Sequence, residues 1–235
     1  MPVPFSIASD AINRPHLSDV SPWRIRFRTI YESLRTDITL LRYPPGAIMD
    51  ISLLARQFGV SRTPIRTVIQ RLENEGLIIT KHGVGTIVTE IDFSQVRQAM
   101  ELRMCLAEAM GSLDPRPPND TIGEKLGSLL SEFTNLENEA SLTDFARLDM
   151  VLHNCKCELI GNDLLRRSYD ELYYRTARIW FQYLPKLTWK SEAESLRRDY
   201  QQTLEAVRRN DVTAVGFITR NAVSEALYRI NNLID

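Results

Sequence analysis

The chain has 235 residues, 43% hydrophobic and 25% charged, which are the proportions of a soluble globular protein and argue against disorder over most of its length. Its 29 basic and 30 acidic side chains leave a formal charge of −1, so no global excess commits it to nucleic acid or to a membrane surface. Three cysteines do not make a disulfide framework, no run of eighteen apolar residues exists, and the N-terminus lacks a charged-then-apolar leader, so a reducing, cytoplasmic location is expected.

Residues 1–20 carry three prolines and little periodicity, and are expected to form a flexible arm in which Arg14 and His16 could touch DNA. Ser21-Pro22 opens a helix through about Leu41, with Ile25, Ile30, Leu34 and Ile38 among its buried residues, and Tyr43-Pro44-Pro45-Gly46 ends it. Leu53 to Phe58 reads as a short helix and Gly59 as a turn. Ser61 then stands at an N-cap position, and Pro64 falls in the first turn of a second helix, where a missing N–H costs nothing. Ile65, Val68, Ile69 and Leu72 make its apolar face, leaving Arg62, Thr63, Arg66 and Gln70 on the other.

Two strands follow, Leu77 to Thr80 and Thr86 to Thr89, around the glycine-containing loop Lys81 to Gly85. The unit over residues 21–91 is therefore expected to be a winged helix-turn-helix. Local charge agrees: Ile51 to Leu72 holds Arg56, Arg62, Arg66 and Arg71 with no acidic residue, a stripe suited to phosphate oxygens.

After a linker at Ile91 to Phe93, strand signals stop. Segments near 94–112, 121–139, 142–160, 162–184, 191–209 and 212–233 have helical periodicity and short connections, so residues 94–235 are expected to form an antiparallel bundle of about six helices. The fold class is mostly α.

Several polar residues fall on the apolar faces of these helices. Arg103 interrupts the stripe Val96, Met100, Ala107, Met110, and a buried guanidinium needs an anion, either a protein carboxylate such as Glu108 or Asp149 or an anionic ligand. Asp149, His153 and Cys157 recur every four residues and so share one face. That spacing allows an Asp–His pair, a shared divalent metal, or a base centre in an enzyme. Tyr200 and Asn221 lie on or beside apolar stripes of later helices. Polar groups from four helices facing one interior would line a cavity for a small polar molecule.

These motifs resemble the GntR family of bacterial transcription regulators, in the FadR-like branch whose effector domain is the helical FCD type. The resemblance spans nearly the whole chain. It is most specific in Pro44-Pro45-Gly46, Leu54-Ala55, the run from Gly59 to Arg66, Leu72-x-x-Glu75-Gly76-Leu77 and Gly83-x-Gly85-Thr86-x-Val88, and readable in Glu101-x-Arg103 and Phe145-x-x-Leu148-Asp149-x-x-x-His153. It implies a cytoplasmic homodimer, a repressor, that binds a two-fold symmetric double-stranded operator through Ser61, Arg62, Thr63, Arg66, His82 and Gly83. Thr67, where many relatives have Glu, bears on which operator. The resemblance also implies that Arg103, Asp149, His153, Tyr200 and Asn221 line the pocket of a small organic acid effector.

Many family members hold a divalent metal through one Asp and three His. Only His153 among this chain's three histidines falls in the bundle, and the other two family positions are matched to Tyr200 and Asn221. No cofactor is expected. A zinc or nickel ion, if held, would rest on what remains of that set, Asp149 and His153, with Cys157 as a further candidate ligand. The competing readings are a DNA-binding protein without an effector and an enzyme using Asp149 and His153.

Overall fold

Pro22, whose ring presets φ for a helix, begins α1 (Pro22–Thr39) in the computed structural model, which describes residues 21–139 and 141–234. Arg14, His16 and the expected arm lie outside the described residues. The described chain divides into two compact units that meet in sequence at Glu90 and Ile91, with Thr39–Leu41 grouped with the second.

In the first unit α1 is followed by β1 (Ile48–Met49), α2 (Ile51–Gln57), α3 (Arg62–Asn74), β2 (Ile78–Lys81) and β3 (Gly85–Val88). Asp50 caps α2 by accepting from the amides of Ser52 and Leu53. Gly59, at φ +63°, makes the turn between α2 and α3, a left-handed conformation that costs an L side chain energy. Antiparallel β2 and β3 form the wing with Ile78 opposite Val88 and Lys81 opposite Gly85. The sequence signal missed β1, which pairs with β3 and puts β3 in the middle of a three-stranded sheet. Two residues are too short to show a period.

Ile30, Leu34, Ile38, Ile65, Val68, Ile69, Leu72, Leu77 and Val88 fill the core of this unit. Ile25, expected inside, is exposed one turn from the start of α1. Beside the core, the Tyr31 hydroxyl donates to Glu75 Oε1 at 2.6 Å, and Arg71 Nε reaches the same oxygen at 3.1 Å with its guanidinium 3.7 Å from the Tyr31 ring centre. Arg71 therefore holds α1 against α3 and is withdrawn from the basic stripe.

The second unit is helical: α4 (Phe93–Glu108), α5 (Asp120–Leu129), α6 (Glu132–Asn138), α7 (Leu142–Glu158), α8 (Asp163–Tyr183), α9 (Trp189–Arg208) and α10 (Val212–Ile234). Asp92, Asn119, Ser141 and Asn162 cap α4, α5, α7 and α8 through their side-chain oxygens. The single helix expected over 121–139 is broken into α5 and α6. Gly127, Ser128 and Ser131 are weak helix formers, and the serine hydroxyls bond back to the carbonyls of Lys125 and Ser128 at the break. At the crossing of α10 on α4, a Cβ added to Gly216 would lie 2.5 Å from the Ala107 carbonyl oxygen, so only glycine lets these helices approach as they do.

Replacing Tyr31 by Phe should lower the unfolding free energy by about 1–3 kcal/mol, since it strips a donor from a buried carboxylate while conserving shape. Urea denaturation of the two proteins measures this. An unchanged midpoint would mean the hydroxyl contributes nothing.

Candidate nucleic-acid interface and ligand cavity

The first turn of α3 is built so that its buried residues face inward and its polar ones are left outside. Ile65, Val68 and Leu72 are fully buried, while Ser61, Arg62, Thr63, Arg66, Thr67 and Gln70 are exposed. Ser61 has the extended backbone of an N-cap, but its side chain makes no capping bond, which leaves the hydroxyl available to an outside acceptor. Among the described residues, no side-chain hydrogen bond or salt bridge engages Arg62 or Arg66. Thr67 Oγ1 donates to the Thr63 carbonyl and so stays on the helix. Lys81, His82, Gly83 and Val84 form the exposed wing tip, with Gly83 at φ +75°. Glu73 accepts from the amide of Thr80 at 2.6 Å, tying α3 to β2. Helix and wing thus form one surface that carries Arg62, Arg66 and Lys81, a chemistry matched to a phosphate backbone and to base edges.

In the helical unit, α4, α7, α8, α9 and α10 surround a cavity of about 120 Å³. Each helix contributes residues three or four apart. From α7 come Asp149, Leu152, His153 and Lys156, from α9 Glu192, Ser195, Leu196 and Asp199, and from α10 Thr219, Ala222, Val223 and Ala226.

Charge is arranged in pairs. Lys156 Nζ, on a residue only 3% exposed, lies 2.8 Å from both oxygens of Asp199. Arg229 Nε lies 3.2 Å from Oε1 of Glu192, also 3% exposed, and its guanidinium sits over the Trp180 ring. Arg103, 8% exposed, is different: Nη1 donates to Thr176 Oγ1 at 2.7 Å, the guanidinium lies 5.3 Å and 5.5 Å from the ring centres of Tyr173 and Tyr169, and no described carboxylate is within ion-pair distance. Its Nε is buried without a partner.

The expected carboxylates for Arg103 are engaged elsewhere. Glu108 pairs with Arg220, and Asp149 accepts from the Tyr173 hydroxyl at 2.6 Å. Asp149 is half-buried in the cavity wall. Burial raises its carboxyl above the ordinary range, while the Tyr173 bond and the charges of Arg103 and Lys156 pull it part of the way back. Burial raises Glu192 likewise, against Arg229.

Three expectations need correction. Asp149 does not pair with His153: the His153 Nε2 contact is Asp170 Oδ1 on α8, at 2.9 Å. Tyr200 is fully buried, but its hydroxyl donates to the Leu148 carbonyl at 2.7 Å and it does not line the cavity. Asn221 is exposed and accepts from Arg220, whereas the inward face of α10 carries Ala222 one position on. A metal set of one Asp and three His consequently does not fit these residues, because Tyr200 is committed to a backbone carbonyl and α10 lines the cavity with Thr219, Ala222, Val223, Ala226 and Arg229, none of them a histidine.

Comparison with known proteins agrees with this architecture. Residues 27–88 match the family described as bacterial regulatory proteins, gntR family, and residues 92–224 match the FCD domain. The chain belongs to the GntR family, in its FCD-domain branch. A relative from Streptomyces ambofaciens, described as an uncharacterized HTH-type transcriptional regulator in an unstable DNA locus, is 32% identical over 142 residues, 59% of this chain and 58% of its own length. The HTH-type transcriptional repressor RspR of Escherichia coli strain K12 is 24% identical over 186 residues, 79% of this chain and 80% of its own. Among solved structures, E. coli McbR/YncC superposes with a TM-score of 0.73 at 16% identity, covering 92% of this chain and all of that one. Family membership makes the protein a DNA-binding transcription regulator.

Sequence reasoning did not find Lys156, Thr176, Glu192, Asp199 or Arg229. Lys156 was detectable, since it lies seven residues after Asp149 and so on the same face. The other four sit among exposed-looking charges, and only the packing of five helices brings them together.

A carboxyl raised on folding stabilises the folded state fully below its unfolded pKa of about 3.9, and that contribution is lost as pH climbs through the folded value. Asp149→Asn should therefore gain stability relative to the parent protein from about pH 4 toward neutrality. Thermal unfolding across that range checks it, and parallel curves would show that the carboxyl titrates normally.

Proposed function

We propose that this GntR-family protein is a ligand-responsive repressor that binds a two-fold symmetric operator as a homodimer and senses a small carboxylate-bearing metabolite in the helical cavity. Acting on DNA in this way places it in the cytoplasm. The carrying observation is Arg103, a buried cation facing a cavity in which the other two cations already have carboxylate partners. An incoming carboxylate supplies the missing counter-ion, and a guanidinium favours two parallel bonds to it. Asp149, His153 and Lys156 remain in reach of a ligand hydroxyl or amine. Tyr200 and Asn221 play no part in this reading. The resident cation makes a metal unnecessary for holding the acid.

Ser61, Arg62, Thr63 and Arg66 read the operator from the exposed start of α3, with His82 and Gly83 at the wing contacting its backbone. Two copies double a small interface, and a symmetric site matches them. The RspR relative is called a repressor, which supports that sign of regulation. Among the described residues no paired nucleophile and base argues for an enzyme: His153 Nε2 faces both Asp170 and Cys157, so the ring cannot relay a proton from one to the other through its two nitrogens.

Arg62→Ala and Arg66→Ala should each weaken specific operator binding by about 1–3 kcal/mol and leave thermal stability intact. Electrophoretic shift against a selected operator reads this, together with the stoichiometry of two chains per site. Unchanged affinity in both variants, or one chain per operator, would contradict the proposal.

Arg103→Ala should remove the thermal stabilisation that an active organic acid gives the parent protein, found by screening such acids one at a time. Arg103→Lys should recover only part of it, since Lys cannot present the planar fork. An acid that stabilises Arg103→Ala as well as it does the parent would disprove the role of this residue.

A further inference from the structure

His153 and Cys157 stand one turn apart on α7, and Asp170 faces them from α8. The His153 ring is held between Tyr173, parallel at 3.7 Å between centres, and Tyr169 at 5.4 Å, so its orientation is fixed. Two polar atoms converge on the one nitrogen Nε2: Asp170 Oδ1 at 2.9 Å and Cys157 Sγ at 3.4 Å. A ring nitrogen carries either a proton or a lone pair, never both. If Nε2 is protonated it donates to Asp170 and does not also accept from the Cys157 thiol. If it is bare it accepts from the thiol and faces a carboxylate oxygen lone pair to lone pair.

A cation between them would take a lone pair from each of the three atoms at one point. The three ligand atoms lie within 4.8 Å of one another. Bonds of about 2.0–2.3 Å in a tetrahedral zinc site put ligand atoms roughly 3.3–3.8 Å apart, so closing the site requires shifts of about an ångström or less. Thiolate, imidazole and carboxylate are zinc's ligands, and the thiolate disfavours magnesium and calcium.

We propose that His153, Cys157 and Asp170 form a zinc site of their own, in the wall between α7 and α8, with water as fourth ligand on the partly exposed Asp170 side. Asp149, the family's first metal position, takes no part. Binding releases the thiol proton to solvent and uses the His153 tautomer protonated on Nδ1. His153 alone is shared with the cavity wall, so the site stands independently of the carboxylate reading. The ion fastens two helices that frame the cavity.

The full-length protein, stripped with chelator and dialysed, is titrated with Co²⁺ and then with Zn²⁺. One equivalent of Co²⁺ should bind with a thiolate-to-metal charge-transfer band in the near ultraviolet and the visible bands of a tetrahedral centre, and Zn²⁺ should displace it. Cys157→Ser should abolish the charge-transfer band, which the other cysteines, Cys105 and Cys155, would preserve if they were responsible. Asp170→Asn, a change at a partly exposed position that should fold normally, should weaken Zn²⁺ binding more than about tenfold in competition with a chromophoric chelator. Asp149→Asn should change neither. Failure of the parent protein to bind one equivalent, a band surviving Cys157→Ser, unweakened binding by Asp170→Asn, or loss of binding on Asp149→Asn would each overturn the site.

Discussion

Burying charge inside a helical bundle is the constraint on which the second unit depends. A guanidinium or ammonium taken out of water costs several kcal/mol unless an anion meets it with good geometry. This protein places Arg103, Lys156 and Arg229 around one cavity, and the helices are positioned so that Lys156 meets Asp199 and Arg229 meets Glu192. Breaking either pair would leave a buried charge uncompensated, at a cost of about 3–5 kcal/mol. The third cation, Arg103, meets the Thr176 hydroxyl and the rings of Tyr169 and Tyr173, and among the described residues no carboxylate lies within ion-pair distance of it.

The first unit solves a different problem with the same means. A short helix such as α3 must be presented rigidly if its exposed start is to read a partner. Its apolar stripe is fully buried, Arg71 and Glu75 clamp its far end to Tyr31 on α1, and Glu73 ties it to the wing strand β2. Charged residues toward the C-terminal end of α3 are spent on structure, and those at its N-terminal end are left to solvent. A single basic stripe is thus divided by position along one helix.

The wall between α7 and α8 shows how a changed residue can move chemistry. With Tyr200 tied to Leu148 and no histidine among the α10 residues that line the cavity, the interior cannot assemble the ligand set of one Asp and three His. His153 instead turns its Nε2 toward Asp170 and Cys157, and Asp149 is left to Tyr173. The carboxylate and the imidazole that share a face of α7 end up with different partners because α8 supplies a better one to each.

The sequence by itself determined the winged helix-turn-helix, the helical second unit and the exposed residues that open α3. Each rests on local rules: a cap, a glycine turn, a proline in a first turn, and apolar spacing within one element. It also marked Arg103 as a charge on an apolar face. Only the tertiary structure decided the rest. The two-residue β1 exists because β3 offers it a partner, and the break between α5 and α6 reflects weak propensity at a junction that periodicity reads straight through. Asp149, separated from His153 by four residues, was expected to pair with it, yet Tyr173 and Asp170, on another helix, are the partners. Helical spacing says which residues share a face, within a rotation of about 100° per residue. Whether Asn221 or Ala222 points into a cavity, and which of several nearby acids meets a buried base, depends on how five helices are rotated against one another, and that is set by contacts between residues far apart in the chain.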